Sequence, residues 1–188
     1  MRKIAILTDI HANLPAFVAV LLDVQASGAE RVVFLGDIVG YGASPAECVD
    51  WVRKLGGVCV MGNHDVEIRA VRKRGGSFRD PDWKNCGYQA GLAHAAECLD
   101  ALEWLDETRV RIPPVLACVV TVGSVGQPRH GTEHRAAWVL WDSDEYVVDF
   151  RKTDYNRLQA AQDIATVGLP LESALRLLTD EEAAFLMG

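Results

Sequence analysis

The chain has 188 residues, of which 49% are hydrophobic and 24% are charged, with 16 Gly and 7 Pro. This composition is typical of one ordinary globular domain and excludes collagen-like, disordered and disulfide-scaffold proteins. With 26 acidic against 19 basic residues, the net charge of -7 repels polyanions. We therefore expect no general binding to nucleic acid or to an anionic membrane.

The cysteines and the first residues indicate the compartment. Five cysteines, an odd number without a Cys-x-x-Cys pair, favour neither a disulfide framework nor a zinc ribbon. No apolar run approaches the roughly 18 residues that a membrane helix needs. Residues 1–3 lead directly into a strand-like segment, so no signal peptide is expected. We expect a cytoplasmic protein; the sequence does not indicate its oligomeric state.

Short apolar runs alternate with segments of helical period over the first 65 residues, which predicts a β-α-β-α-β start of an α/β fold. The strands are predicted at residues 3–8, 31–35 and 58–61. The first helix should begin after the capping residue Asn13, with Pro15 in its first turn and Gly28 at its end. The second helix is predicted over Pro45–Leu55.

The pattern changes after residue 65. The predicted elements are, in chain order, a basic helix at 66–74, a loop at 75–83, a long helix at 87–108, a strand at 115–122, a Gly-rich loop at 123–131, a hairpin of strands 136–141 and 146–150, and helices from about Asp154. No internal repeat or linker interrupts them, which predicts a single domain over residues 1–188.

Polar side chains follow each of the first three strands. Asp9 and His11 come after the first, Asp37 after the second, and Asn63 and His64 after the third. Because the carboxyl ends of neighbouring parallel strands lie side by side, we expect these residues to meet in one crevice. Asp9 and His11 should point to the same side, since they are two residues apart in a chain taken to be extended. Carboxylate, imidazole and amide groups are suitable ligands for divalent Mn, Fe, Zn or Ni.

Together these clusters resemble the motifs of the calcineurin-like metallophosphoesterases, in particular their small bacterial and archaeal phosphodiesterase-like branch. The matching segments are Asp9-Ile10-His11-Ala12-Asn13-Leu14-Pro15, Gly36-Asp37-Ile38-Val39-Gly40-Tyr41-Gly42, Gly62-Asn63-His64-Asp65 and Gly123-Ser124-Val125-Gly126-Gln127-Pro128-Arg129. The resemblance implies a fold of two packed mixed β-sheets flanked by helices, here shortened. It also implies hydrolysis of phosphate monoesters or diesters with two divalent metal ions.

The resemblance further implies a role for each matching residue. Asp9 and His11 would bind the first metal, Asp37 would bridge both metals, and Asn63 would bind the second. The metal pair would activate a hydroxide for attack on phosphorus. His64 would protonate the leaving alkoxide.

Three other positions in the motifs are candidates for supporting roles. Asp65 is expected to hold the His64 imidazole in its productive tautomer. Arg129 is a candidate to bind the substrate phosphate, with an ordinary surface charge as the alternative. Tyr41, between two glycines, belongs either to a simple turn or to a loop that approaches the substrate.

The sequence also departs from the family. The family has three more metal-binding histidines, one on a strand that ends in His-Gly and two in a Gly-His-Thr-His turn, and neither motif stands at its place here. Only about four residues separate Pro114 from the Val119-Val120-Thr121-Val122 part of the next strand, where the family has several elements, so an internal deletion is predicted near residues 114–119. The second metal would then keep only Asp37 and Asn63. His130 and His134 are imperfect substitutes.

Two functions follow. The first is a metal-dependent phosphoesterase that hydrolyses phosphodiesters or small phosphate esters, with a small phosphorylated substrate as its partner. The alternative is a catalytically degraded family member that binds metal or a phosphorylated ligand as a sensor or scaffold. A purely structural protein is a third reading, which the cost of burying unpaired carboxylates disfavours.

Overall fold

The structure, a computed structural model, describes residues 3–73, 87–98, 122–128 and 134–187. In these residues the strands are β1 (Lys3–Leu7), β2 (Arg31–Phe34), β3 (Val58–Cys59), β4 (Ala136–Asp142) and β5 (Val147–Thr153). The helices are α1 (Leu14–Ala26), α2 (Pro45–Leu55), α3 (Asn63–Lys73), α4 (Gly87–Cys98), α5 (Arg157–Thr166), α6 (Leu171–Leu175) and α7 (Asp180–Met187).

The five strands form one mixed sheet in the order β3-β2-β1-β4-β5. β1, β2 and β3 are parallel, with Ile4 opposite Arg31 at the start of the β1–β2 pair. β4 runs antiparallel to β1, and β5 antiparallel to β4. The carboxyl ends of β1, β2 and β3 therefore lie at one edge of the sheet, as predicted. The α/β class and the β-α-β-α-β start are confirmed.

Local signals explain why the first two helices lie where they were predicted. The Asn13 side chain accepts a hydrogen bond from the Ala16 amide at 3.1 Å, which caps α1. Pro15 lies in the first turn of α1, where its missing N–H has no helical partner to lose. α2 ends at Gly56, which has the left-handed conformation (φ 63°) common at helix ends.

The third helix differs from its prediction. α3 begins at Asn63, three residues before the expected start, so Asn63, His64 and Asp65 form its first turn and are not part of a loop. The physical reason is a long-range cap, because the His64 amide donates to Asp37 Oδ1 at 2.8 Å. A carboxylate at this place satisfies an amide that the helix itself cannot, and it also interacts well with the helix dipole.

The hairpin of β4 and β5 and the C-terminal helices are confirmed. The loop predicted at 75–83 lies outside the described residues, as do residues 99–108 of the long helix. The deletion predicted near 114–119 and residues 115–121 of the predicted strand also lie outside the described residues. Val122, the last residue of that predicted strand, is described and belongs to no strand. All strands of the described residues belong to the one sheet.

The core lies between the sheet and the helices that cover it. Phe17 of α1 and Phe34 of β2 are fully buried, with their rings in edge contact at 6.1 Å. Trp138 of β4 is also fully buried, and its indole N–H donates to Thr153 Oγ1 at 3.0 Å. Each such side chain stabilises the fold by roughly 1.5 to 3 kcal/mol. Among the described helices, none has both the length and the apolar character required to cross a membrane.

Candidate metal centre

The backbone after β1 and β2 has an uncommon conformation. Among the described residues, six non-glycine residues have a positive φ, and five of these lie in the loops that follow the two strands. These five are Asp9, His11, Ala12, Asp37 and Tyr41. A left-handed conformation costs a non-glycine residue about 1 to 2 kcal/mol, so the surrounding structure must hold it in place.

Hydrogen bonds between the two loops supply that support. The Asp9 amide donates to the Gly36 carbonyl at 3.1 Å, and the His11 amide donates to the Asp37 carbonyl at 2.9 Å. The Ala12 amide continues the series to the Ile38 carbonyl at 2.8 Å. The polar residues after β1 and β2 are thus fixed relative to one another by the main chain.

Residues 122–128 close the other side of the first loop. The Gly126 amide donates to the Asp9 carbonyl at 2.8 Å, and Asn13 Nδ2 donates to the Gly126 carbonyl at 2.8 Å. A Cβ on Gly126 would lie 1.8 Å from the Ile10 carbonyl oxygen, so only glycine permits this approach. The Gly-rich motif therefore belongs to the site, whereas Arg129 lies outside the described residues.

His11, Asp37 and His64 form a group with the geometry of a metal site. Each offers a ligand atom, and the three atoms lie within 4.8 Å of one another. The residues are only 1%, 8% and 2% exposed. Ligand bonds of about 2.0 to 2.2 Å place neighbouring ligand atoms somewhat closer together than this, so a modest contraction around one ion suffices. The two imidazoles and the carboxylate fit a divalent transition metal.

Asp9 lies beside this group. Its Oδ1 is 3.3 Å from His11 Nε2, and its Oδ2 accepts a hydrogen bond from Thr8 Oγ1 at 2.8 Å. The other nitrogen of the His11 ring, Nδ1, is 3.3 Å from the Val39 carbonyl oxygen. A second-nitrogen contact of this kind orients many metal-binding histidines. The expected pairing of Asp9 with His11 is present, but the chain is not extended there, because both residues have left-handed backbones.

Asn63 and His64 are adjacent in the chain and differ in burial. The Asn63 side chain is exposed at the first position of α3, whereas His64 is buried against His11, with 4.6 Å between the ring centroids. The position of His64 thus allows two roles, as a metal ligand or as an acid next to the metal. Its predicted role as an acid stays a prediction.

Asp65 joins two loops of the site. Its Oδ1 accepts from the Ile38 amide at 3.0 Å and from the Val39 amide at 3.3 Å, while Oδ2 accepts from the Gly62 amide at 3.0 Å. Burial raises the pKa of this carboxyl to about 6, although the backbone hydrogen bonds lower it. These bonds connect the loop after β2 to the start of α3. An interaction with the His64 imidazole stays a prediction.

The Gly-Tyr-Gly loop, residues 40–42, lies on the two histidines. The Tyr41 ring is 4.9 Å from the His11 ring and 4.9 Å from the His64 ring, measured between centroids. A Cβ on Gly40 would lie 2.2 Å from His64 Nδ1, and one on Gly42 would lie 2.5 Å from the His11 carbonyl oxygen. This loop is therefore part of the site. Sequence reasoning did not assign its contacts, although two glycines around a tyrosine are a signal of close approach.

The family model for calcineurin-like phosphoesterases matches residues 2–162. This match covers most of the chain and agrees with the site described above. The chain belongs to this family. In sequence, the uncharacterized protein MJ0912 of Methanocaldococcus jannaschii is 53% identical over 65 residues. That match covers 35% of this chain and 27% of MJ0912, so the chain matches about a quarter of its curated relative.

Solved structures agree with the fold. A metallophosphoesterase from Sphaerobacter thermophilus superposes with a TM-score of 0.73 at 23% identity, covering 93% of this chain and 98% of that one. The hypothetical protein PH1004 from Pyrococcus horikoshii also has a TM-score of 0.73, at 20% identity, covering 95% and 98%. At these identities the likeness concerns the phosphoesterase fold alone.

The remaining histidines are His94, His130 and His134. His94 Nε2 lies 2.9 Å from the Ala43 carbonyl oxygen, which attaches α4 to the segment after the Gly-Tyr-Gly loop. His134 lies just before β4, and His130 is outside the described residues. Within the described ranges, the group of three is the one cluster that has metal-site geometry.

Proposed function

We propose that this phosphoesterase hydrolyses phosphodiesters or small phosphate esters with the help of a divalent metal ion. The observation that carries the proposal is the buried group of His11, Asp37 and His64 at the carboxyl edge of a phosphoesterase sheet. Buried ionisable groups are costly unless they are paired or bind a metal. Such a group at the carboxyl ends of parallel strands is a typical place for chemistry.

Asp9, His11 and Asp37 would hold one ion of Mn, Fe, Zn or Ni. Asp37 and Asn63 would hold a second ion more weakly, because they supply two protein ligands in place of three. When bound, the metal polarises a phosphoryl oxygen and lowers the pKa of a bound water. The main-chain bonds between the loops after β1 and β2 keep Asp9, His11 and Asp37 in position before the substrate arrives.

His64 is proposed as the proton donor to the leaving alkoxide. Its backbone is fixed by the bond from its amide to Asp37, and its ring is packed against those of His11 and Tyr41. The Asp65 carboxylate accepts a hydrogen bond from the Gly62 amide. Asp65 is also proposed to hold the His64 imidazole in its productive tautomer. Arg129, the last residue of the Gly-rich motif, is proposed to bind the phosphate of a small substrate. We also propose that the protein is located in the cytoplasm.

The experiment is phosphodiester turnover by protein that has been stripped with a chelator and then supplied with Mn, Fe, Zn or Ni. Hydrolysis of bis(4-nitrophenyl) phosphate should return with at least one metal. Asp37→Asn should abolish it, because the variant loses a charged ligand and weakens the cap on His64. Asp50→Asn, the same change in an ion pair on the surface of α2, is the control and should leave turnover intact.

A second variant tests the role of His64. His64→Ala should lower turnover by about 100-fold or more while metal binding is retained, since general acids contribute about 10² to 10⁴. Equal loss of metal binding and turnover would make His64 a ligand and reject its role as the acid. The measurement is calorimetric metal titration alongside the assay.

The second candidate function is a sensor or scaffold that binds metal or a phosphorylated ligand without turnover. One feature of the sequence favours this sensor or scaffold function. Neither of the family's two additional histidine motifs is found at the expected position. Saturable binding of a phosphate ester, with no hydrolysis under any of the four metals, would support this function. Metal-restored hydrolysis that Asp37→Asn abolishes would exclude it.

A further inference from the structure

Helix α4 lies directly against the backbone of the Gly-Tyr-Gly loop. A Cβ on Gly91 would be 2.7 Å from the Tyr41 Cα and closer still to the Tyr41 amide nitrogen. It would also be 3.1 Å from the carbonyl carbon of Gly40. A real Cβ cannot approach backbone atoms so closely, so only glycine at position 91 permits α4 to lie at this distance from Tyr41.

The same helix has a polar attachment to the chain that follows this loop. His94 Nε2 is 2.9 Å from the Ala43 carbonyl oxygen. Because a carbonyl oxygen only accepts hydrogen bonds, the His94 ring carries a hydrogen on Nε2 and donates it. Gly91 and His94 are three residues apart, which places them on one face of α4. That face therefore holds residues 40–43 at two points.

The position of α4 is itself set by the hydrophobic core. Leu92 and Ala95, which are also three residues apart, are fully buried and belong to the main core cluster. A helix fixed by core packing is a rigid element on which a site can be built. The contacts of Gly91 and His94 thus connect the Gly-Tyr-Gly loop to the core.

Tyr41 requires such a connection. Its backbone is left-handed, with φ 55°, and a non-glycine residue keeps this conformation only where its surroundings hold it. The Gly42 amide donates to the His11 carbonyl at 2.9 Å, which fixes the loop to the segment after β1. Together with α4, this bond keeps the Tyr41 ring 4.9 Å from the rings of His11 and His64.

We propose that Gly91 and His94 are positioning residues of the metal centre, which hold the Gly-Tyr-Gly loop so that the Tyr41 ring stays against His11 and His64. The inference rests on the proposed function for the presence of a metal. Its tests therefore measure the place of the ring and the affinity for Mn, and none of them depends on turnover.

Gly91→Ala displaces the loop at the closest contact. Alanine is a better helix former than glycine, so the substitution does not weaken α4 itself. NOEs from the Tyr41 ring to the rings of His11 and His64 are expected in the metal-free wild type and should be lost in the variant. Its affinity for Mn, by calorimetric titration, should fall about tenfold. Glu97→Ala, at an exposed position of the same helix, is the matched control and should keep both the NOEs and the affinity.

Variants of His94 test the second contact and do not depend on the folding of Gly91→Ala. His94→Leu removes the donor and keeps an apolar side chain of similar bulk, so Mn affinity should fall about threefold, the effect of one modest hydrogen bond. His94→Gln offers an amide donor to the same carbonyl and should restore most of the affinity. A lower urea midpoint in His94→Leu, with the Mn affinity of the folded protein unchanged, would show a merely structural role and overturn the proposal.

A double-mutant cycle tests whether the helix acts through Tyr41. In a Tyr41→Ala background the ring is absent, so His94→Leu should then change Mn affinity by less than about 1.5-fold. A further threefold loss in that background would mean that His94 affects the metal by another route. That result would reject its role in positioning Tyr41.

The results separate this inference from the function on which it rests. If the wild type binds no metal, the proposed function fails, and the NOEs of the metal-free proteins decide the inference: their loss in Gly91→Ala supports it, and their retention overturns it. If the wild type binds Mn and neither Gly91→Ala nor His94→Leu changes the affinity, the metal centre stands and the positioning role of α4 is rejected.

Discussion

Replacing Gly40 by alanine perturbs the metal centre at one well-defined contact. Gly40 has φ +95°, and a Cβ there would lie 2.2 Å from Nδ1 and 3.0 Å from Cε1 of His64. His64 is buried and cannot move into solvent without leaving His11 and Tyr41. The added methyl must therefore displace either the histidine ring or the Gly-Tyr-Gly loop.

Two costs add in this variant. A positive φ in a non-glycine residue costs about 1 to 2 kcal/mol. Insertion of a methyl into a packed region costs about 1 to 3 kcal/mol. The sum for Gly40→Ala is about 2 to 5 kcal/mol. Gly28→Ala isolates the first cost, because Gly28 has φ +73° and an added Cβ would meet nothing within 4 Å.

Urea unfolding of the metal-free proteins measures the free energies, and calorimetric titration with Mn measures the consequence for the site. Gly40→Ala should lose about 1 to 3 kcal/mol more than Gly28→Ala, and its metal affinity should fall about 10-fold to 100-fold, the usual effect of disturbing a ligand's support. Gly28→Ala should bind metal like the wild type. Equal losses of stability together with unchanged metal binding in Gly40→Ala would refute the reasoning.

Three further predictions concern other contacts. Tyr41→Phe should retain metal affinity, because the ring contacts with His11 and His64 remain, whereas Tyr41→Ala should weaken it about tenfold in the same titration. Asn13→Ala should lower the free energy of unfolding in urea by about 2 kcal/mol, since it removes the α1 cap and the bond to Gly126. Glu182 pairs with Arg157, whose hydrogen bonds lower the pKa of that carboxyl to about 2. The stability from this pair is present above about pH 4.5 and is lost as the pH falls through 2, so Glu182→Gln should cost about 1 kcal/mol at pH 7 and about a quarter of that at pH 2.5, by urea midpoints.

Each of these predictions has a control or a contradicting result. A loss of metal affinity in Tyr41→Phe equal to that in Tyr41→Ala would assign the effect to the hydroxyl instead of the ring. Asn156 caps α5 through the Gln159 amide, and within the described residues its side chain makes no second hydrogen bond, so Asn156→Ala should cost about half as much as Asn13→Ala. Glu172→Gln, in an exposed i,i+4 pair with Arg176, should cost under about 0.5 kcal/mol at either pH. An equal cost for the two glutamates would contradict the account of Glu182.

The elements that could be predicted are those with local signals. α2 was predicted with its observed bounds, and the structure places Pro45 at its start and Gly56 at its end; α1 was predicted because Asn13 and Pro15 mark its start. The hairpin was predicted from the alternation in β4 and β5. The start of α3 was not predicted correctly, because the hydrogen bond that caps it is made to Asp37, which lies 27 residues before His64 in the chain. No local pattern reports such a contact.

Part of the membership of the site was predictable, and its geometry was less so. The common edge of parallel strands predicts that Asp9, His11, Asp37, Asn63 and His64 meet. Of these, His11, Asp37 and His64 lie together and Asp9 lies against His11, whereas Asn63 is exposed. The prediction that Asp9 and His11 lie together because the chain is extended gave the right contact for the wrong reason, since both have left-handed backbones. The bonds of Asp65 to Ile38 and Val39 depend on loop packing between distant segments, which sequence spacing does not report.

The measurement that tests the central claim most directly is a calorimetric titration of the metal-stripped protein with Mn, beside Asp37→Asn. The account predicts one tight site per chain, with any second site much weaker, and loss of the tight site in the variant. The absence of binding by the wild type, or equal binding by Asp37→Asn, would contradict a metal centre built on His11, Asp37 and their neighbours.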